Sequence, residues 1–273
     1  MNKAIVTTTY PIPRIDDLIV KMKNARYFTS LDLKCAYLQL TLHQDSRDLT
    51  SFITHKGLYR FLRVPYGLCS APGAFQRLME EVLEGIKNVV VYLDDVIVFG
   101  KTETEHDNTL IEVKKKLTDS GIQLNIEKCV MKSRKIKVLG HEISDHGILP
   151  DETHLNALKH IQRPINRKEL KSFLGLTSWF GKFIHNYSTI VQPLREIARL
   201  DKYQWNSDAE KSFNDTKNAI IKSEALAIFD TDRQTITTTD ASHYGLGAVL
   251  SQIDENGREK TVSFASCMHH CIH

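Results

Sequence analysis

Hydrophobic positions along the chain follow two spacings, and each change of spacing marks an element. After Pro11 and Pro13, Ile15, Leu18, Ile19 and Met22 recur three and four apart, which predicts a short helix entered through proline. Tyr27–Leu33 is aromatic and β-branched, the composition of a strand, and Tyr37–Leu42 reads as a second extended stretch. A helix is expected to start at Ser70-Ala71-Pro72, with Phe75, Leu78, Met79, Val82, Leu83 and Ile86 on one face. Val89–Leu93 and Val96–Phe99 are strand-like runs separated by Asp94 and Asp95, a spacing that predicts a tight hairpin. Glu103–Asp119 reads as a helix closed by Gly121. Short strands at Val130 and at Ile136–Leu139 complete an α+β unit over residues 1–145.

From His154 to Leu200 the pattern is helical, with Leu170, Phe173, Leu174 and Thr177 marking one helix and Leu194, Ile197 and Ala198 another. A further helix is expected near Ser207, capped by that serine, with Ala209, Phe213, Thr216 and Ile220 on its inner face. Thr235–Asp240, Leu246–Gln252 and Thr261–Ala265 then read as three strands of a second sheet, with Gly257 in the last turn. The chain carries no internal repeat and no low-complexity tract.

Composition narrows the class without touching the chemistry. With 273 residues, 41% hydrophobic and 25% charged, the chain has globular proportions, which excludes disorder, collagen and coiled coil. Lys+Arg 36 against Asp+Glu 33 leaves +3, too weak a bias to argue for nucleic acid by itself. Five cysteines without dense spacing suit reduced intracellular thiols. No signal peptide and no apolar run of the ~20 residues needed for a membrane span is evident. The expected setting is intracellular, cytoplasmic or nuclear, with no membrane partner.

The sharpest chemical feature is Tyr92-Leu93-Asp94-Asp95. Adjacent carboxylates between apolar strands repel each other and resist burial. A divalent cation such as Mg²⁺, which takes one or two carboxylates plus substrate phosphates, removes that cost. The same pair is also ordinary solvated turn chemistry. Asp32 ends another strand-like run, and a third carboxylate beside the pair would complete a two-metal site.

Ser30-Leu31-Asp32-Leu33 with Tyr37, Val64-Pro65-Tyr66-Gly67-Leu68 through Ala71-Pro72 to Phe75-Gln76-Arg77-Leu78-Met79, and Tyr92-Leu93-Asp94-Asp95 together resemble reverse transcriptase, in order and in spacing. The likeness is to the Pol polyprotein of gypsy-type LTR retrotransposons. It extends through Leu124-Asn125, Lys128-Cys129, Leu139-Gly140-His141, Lys168-Glu169-Leu170, Phe173-Leu174-Gly175-Leu176, Pro193-Leu194, Trp205, Thr239-Asp240-Ala241-Ser242 and Gly247–Gln252. It covers residues 3 to 265, and the chain reads as a piece cut at both ends.

The resemblance implies an α+β fold. A right-hand polymerase palm, an antiparallel sheet backed by helices with partial fingers, would occupy 1–145. A helical thumb would occupy 146–202, and the first strands of an RNase H-like α/β domain 203–273. It implies RNA-directed DNA polymerase activity by two-metal nucleotidyl transfer onto a primer 3′-OH, or alternatively a relic that only binds nucleic acid. Partners would be an RNA or DNA template with primer and deoxynucleoside triphosphates, and cofactors two Mg²⁺ or Mn²⁺ ions. The oligomeric state is left open.

Carried over by position, the resemblance gives Asp32, Asp94 and Asp95 as metal-binding catalytic carboxylates and Lys128 as the acid for departing pyrophosphate. Leu33, Tyr37, Tyr66, Gly67 and Gln76 would line the nucleotide pocket. Tyr37 would stack under the incoming sugar and exclude a 2′-OH, and Gln76 would face the template side. Val138, Leu139, Gly140 and His141 would hold the primer end. Asp240 would be a remnant of an RNase H site, whose activity is not expected from this chain. Without the resemblance, Tyr37 reads as a packing aromatic, Lys128 as a solvated charge and Val138–His141 as a plain strand-turn.

Two basic stretches are candidates for duplex backbone contact: Lys128, Lys132, Arg134, Lys135 and Lys137, a run without an acid, and Lys159, Arg163, Arg167, Lys168 and Lys171. Several features depart from the family. The chain reads as starting after the family's first fingers segment, Thr50–Arg63 reads as an insertion loop, and Ser70 and Gly73 stand where Asn and Ala are usual. Ser178-Trp179-Phe180-Gly181 replaces a stretch richer in tyrosine and arginine. The tail Cys267–His273 has zinc-capable residue types but no second ligand cluster, and it reads as a degenerate end.

Overall fold

The computed structural model describes residues 2, 5, 10–200, 202–241 and 245–268. Ser242 and the His269–His273 part of the tail lie outside them. The chain divides into two compact units, Met1–Ile136 and Lys137–His273.

In the first unit the order is α1 (Ile15–Lys21), β1 (Tyr27–Asp32), β2 (Phe52–Thr54), β3 (Gly57–Tyr59), α2 (Ala71–Val82), β4 (Val89–Tyr92), β5 (Asp95–Gly100), α3 (Glu103–Asp119) and β6 (Val130–Ser133). A four-stranded antiparallel sheet runs β4-β5-β1-β6. Strand alternation sends Leu31, Val96 and Val98 to one face. There, with Val91, they meet Phe75, Met79 and Leu83 of α2 and Val113 and Leu117 of α3. Each such side chain contributes roughly 1.5–3 kcal/mol by leaving water. The residues of opposite parity, Asp32 and Asp95 among them, belong to the other face.

Two expectations change here. Tyr37–Leu42 is not a strand: Ala36–Gln39 is a 3₁₀ turn, entered through Cys35 at φ +51°. Tyr37 and Leu40 pack on the core from this turn. Gln39 closes it, with Nε2 donating to the carbonyls of Lys34 (2.7 Å) and Gln123 (3.0 Å) and Oε1 accepting from Gln123 N (2.8 Å). Thr50–Arg63 is not a plain loop, since it holds the β2–β3 hairpin with Phe52 opposite Tyr59. Three-residue strands are too short to show a period of two.

The second unit contains β7 (Lys135–Val138, within which the division falls), β8 (His141–Ser144), β9 (Gly147–Pro150), α4 (Glu152–His160), α5 (Arg167–Ser178), α6 (Tyr187–Ile190), α7 (Gln192–Arg199), α8 (Ser207–Ile221), β10 (Thr235–Ala241), β11 (Gly245–Ile253) and β12 (Glu259–Met268). The first three strands form one sheet and the last three another. Leu170 and Phe173 of α5, Leu194 and Ile197 of α7, and Ala209 and Phe213 of α8 make its helical core. The cap of α8 is Asn206, one residue before the expected Ser207. Its Oδ1 accepts from Ala209 N at 2.8 Å, which leaves the serine as the first helical residue. Among the described residues no helix is long and apolar enough to cross a membrane.

Candidate active site

The two strands that carry the acids are paired in register: Asp32, last residue of β1, lies opposite Asp95, first residue of β5. The backbone at Asp32 is held by Asn125, whose N–H donates to the Asp32 carbonyl at 2.8 Å. The hairpin turn differs by one residue from the expected Asp94-Asp95 pair. Tyr92 pairs with Asp95, so the loop is Leu93-Asp94. Leu93 sits at φ +51°, a left-handed conformation that costs a leucine roughly 1–3 kcal/mol and holds only where neighbours enforce it.

The three carboxylates feel one another. Burial, then the Asp32 charge, pushes the Asp94 carboxyl up, although a hydrogen bond from Tyr37 works the other way. Burial, then Asp32 and Asp94, pushes Asp95 up. Among the described residues, however, no group of three or more His, Cys, Asp or Glu is gathered tightly enough to form a ready cation cage. The donor set is nonetheless hard, anionic and self-repelling. A cation that takes its remaining ligands from phosphate would relieve it, so the residues suit Mg²⁺ or Mn²⁺.

Tyr37 stands beside this pair. Its ring meets Phe75 edge-on at 5.7 Å and Tyr66 at 5.5 Å. Burial, then the Asp94 carboxylate, pushes its phenol up to about 12, so it stays protonated and can donate. Tyr66 and Gly67 are exposed, while the Leu33 side chain is buried in the core. Gln76 is fully buried, with no side-chain surface presented to solvent. Its Nε2 donates to the Val91 carbonyl (3.0 Å) and to Glu80 Oε1 (2.7 Å), and its Oε1 accepts from Leu93 N (2.7 Å). Lys128 lies in an exposed turn, and it is not among the groups that shift Asp94 or Asp95.

Asn2 was given no role by sequence reasoning. Its Nδ2 donates to the Gly67 carbonyl (2.9 Å) and its Oδ1 accepts from Cys69 N (3.2 Å), which fixes the Tyr66–Gly67 segment. Its only signal in the sequence is its place directly before the stretch that carries the resemblance. Beside that segment lies a pocket of about 550 Å³, lined by Leu38, Leu49, Phe61, Pro65 and Leu68 among others.

In the second unit Val138, Leu139, Gly140 and His141 form the β7–β8 turn, with Leu139 at φ +49° and Gly140 at φ +85°. His141 is buried, meets Trp179 ring to ring at 4.5 Å with a tilt of 33° and has Nε2 3.1 Å from Lys182 Nζ. Asp240, next to last in β10, pairs with Gly247 and lines a cavity of about 400 Å³ with Leu246, Ala265 and Ser266.

The basic run 128–137 lacks acids in sequence but meets them in space. Lys132 pairs with Glu103 (2.5 Å) and Asp107 (2.8 Å), and Lys137 with Asp151 (2.7 Å). Arg134 stacks over Tyr27 at 4.0 Å. These three of the five cations have partners within the protein.

Residues 1–143 match the family described as reverse transcriptase (RNA-dependent DNA polymerase). Residues 205–270 match the RNase H-like domain found in reverse transcriptase. The Pol polyprotein of transposon 297 from Drosophila melanogaster is 36% identical over 92% of this chain and 24% of its own length. That of transposon opus, from the same fly, is 36% identical over 97% of this chain and 28% of its own. The Tf2-3 polyprotein of Schizosaccharomyces pombe is 30% identical over 97% and 20%. The chain thus spans about a quarter of the length of these curated relatives. The foamy viral protease-reverse transcriptase solved with double-stranded DNA shares the fold, with TM-score 0.88 at 22% identity over 98% of this chain and 56% of that one. The same protein solved with an RNA/DNA hybrid gives TM-score 0.85 over 98% and 36%. By its matched residues and its palm and RNase H-like strands, the chain belongs to the reverse transcriptase (RNA-dependent DNA polymerase) family.

Proposed function

We propose that this chain is the palm-bearing part of a retrotransposon RNA-directed DNA polymerase, with fingers and palm residues in 1–145, thumb in 146–202 and RNase H-like strands in 203–273. It would take a primed RNA or DNA template and deoxynucleoside triphosphates inside the cell. The observation that carries the reading is Asp32 opposite Asp95 at paired strand ends, with Asp94 on the adjoining turn and Tyr37 beside it.

Asp32, Asp94 and Asp95 would hold the divalent ions, Mg²⁺ or Mn²⁺. When bound, these supply charge neutralisation at the α-phosphate and lower the cost of ionising the primer hydroxyl. The β1–β5 register keeps two of the acids in fixed apposition. Tyr37, braced by Phe75, presents a ring edge where a sugar 2′-OH would collide, and the Tyr66–Gly67 segment, pinned by Asn2, forms the second wall. The Val138–His141 turn would contact the primer end, and Lys128 would reach the departing pyrophosphate.

Primer extension on poly(rA)/oligo(dT) with Mg²⁺ or Mn²⁺ tests this. Extension that disappears in Asp94→Asn and Asp95→Asn supports the polymerase. Salt-dependent duplex binding without extension above those controls leaves only a nucleic-acid-binding relic.

A further inference from the structure

We infer that Gln76 is a positioning residue: its buried side-chain amide holds the Leu93-Asp94 turn in the conformation that presents Asp94 and Asp95 together. The inference rests on the polymerase reading of that site. β4 is the edge strand of its sheet, so the outward backbone groups of Val91 and Leu93 have no strand neighbour. Leu93 is the first loop residue, and its N–H lies beyond the β4–β5 ladder.

Gln76 stands in for the missing strand, donating to Val91 O and accepting from Leu93 N. The glutamine amide offers a donor and an acceptor from one side chain at that reach. The second Nε2 proton goes to Glu80 Oε1, one helical turn further along α2, which fixes which way the amide faces. The helix itself is anchored by Phe75 and Met79, both fully buried. A rigid core element therefore reaches through one amide to the left-handed residue that directly precedes Asp94. If Leu93 relaxes from φ +51°, the direction of Asp94 changes with it, and with it the spacing to Asp32.

The test compares wild type with Gln76→Leu, which loses both bonds, and Gln76→Glu, which keeps an acceptor for Leu93 N but cannot donate to Val91 O when ionised. Mn²⁺ binding is followed by electron paramagnetic resonance without substrates, alongside primer extension and thermal melting. In folded variants Mn²⁺ affinity is expected to fall about tenfold. The kcat is expected to fall about 100-fold, as for a catalytic group displaced by 1 Å. The dNTP KM should stay within about two-fold. A folded Gln76→Leu with wild-type Mn²⁺ affinity and kcat overturns the inference. So does a loss confined to template–primer affinity, which would return Gln76 to template contact. If Gln76→Leu does not fold, exchange of the Leu93 amide in the wild-type protein, read by NMR, decides: slow exchange supports the clamp, and the rate of a free turn amide overturns it. A wild-type chain that extends no primer sinks the polymerase reading, while Mn²⁺ binding and Leu93 exchange still decide Gln76.

Discussion

Asp32 and Asp95 face each other directly across β1 and β5, on the sheet face opposite the α2–α3 core. Like charges at paired strand positions destabilise a sheet. Burial and the charges of Asp32 and Asp94 push the Asp95 carboxyl up, so its ionised form weakens the fold at neutral pH. Asp95→Asn removes that charge and keeps the shape. The metal-free variant should melt a few degrees above wild type. Its primer extension should fall by roughly four orders of magnitude. Added Mg²⁺ should raise the melting temperature of wild type but not of the variant. Calorimetry with and without Mg²⁺ checks the two melting outcomes, and primer extension on poly(rA)/oligo(dT) checks the third. Equal melting of the two metal-free proteins would show that the acids do not strain the sheet.

In the proposed polymerase Tyr37 would select by bulk, since its ring packs edge-on against both Phe75 and Tyr66. Tyr37→Val opens the space below the sugar, and ribonucleotide use relative to deoxynucleotide use should rise about 10- to 200-fold. Tyr37→Phe keeps the ring and loses the bond to Asp94, so selection should persist. Competitive single-nucleotide insertion measures the ratio, and an unchanged ratio in Tyr37→Val would remove Tyr37 from the pocket.

The strand ends at Asp32 and Asp95 were legible because aromatic and β-branched runs stop or start there, and strand composition does not depend on distant partners. The turn shifted by one residue because the period-two signal says nothing about Leu93, whose left-handed backbone is not encoded in a leucine. Gln76 was placed on the template side because its partners at Val91 and Leu93 come from another element, and sequence spacing alone cannot show that α2 reaches them. The basic run looked free for the same reason: Glu103 and Asp107 precede Lys132 by a whole helix, and Asp151 follows Lys137 by two strands. Tyr37–Leu42 was misread because Tyr37 and Leu40, three apart, satisfy a tight helical turn as well as they suggest a strand.

Gly140 is the residue on which the β7–β8 turn depends. It lies at φ +85°, and a Cβ there would come within 3.1 Å of both His154 Cε1 and Trp179 Cζ2. Gly140→Ala meets a backbone penalty and a steric one, for a combined loss of about 1–3 kcal/mol. Urea denaturation measures it. Gly175→Ala, with open space at its Cβ position in α5, is the control and should be neutral or slightly stabilising.

Asp151 links that turn to α4. Its N–H donates to the Gly140 carbonyl (2.9 Å), its Oδ1 accepts from Thr153 N (3.2 Å), and Lys137 Nζ lies 2.7 Å from Oδ1. Burial alone would raise its carboxyl, but the Lys137 ammonium and the Thr153 amide hold it below the ordinary value. The Lys137 ammonium is held above its own ordinary value, chiefly by its hydrogen bond to Asp151. A lowered carboxyl gives stability that is complete above its unfolded value of about 3.9 and is lost as pH falls through the folded value. A raised ammonium gives stability that is complete below about 10.4 and is lost as pH rises through its folded value. Asp151→Asn keeps a capping oxygen for α4 and removes only the charge. Wild type should therefore exceed the variant in stability across the whole range between those limits, and the two should converge below about pH 4. Urea midpoints taken from pH 3 to pH 9 test this, and midpoints that coincide across that range would show that Asp151 acts only as a cap.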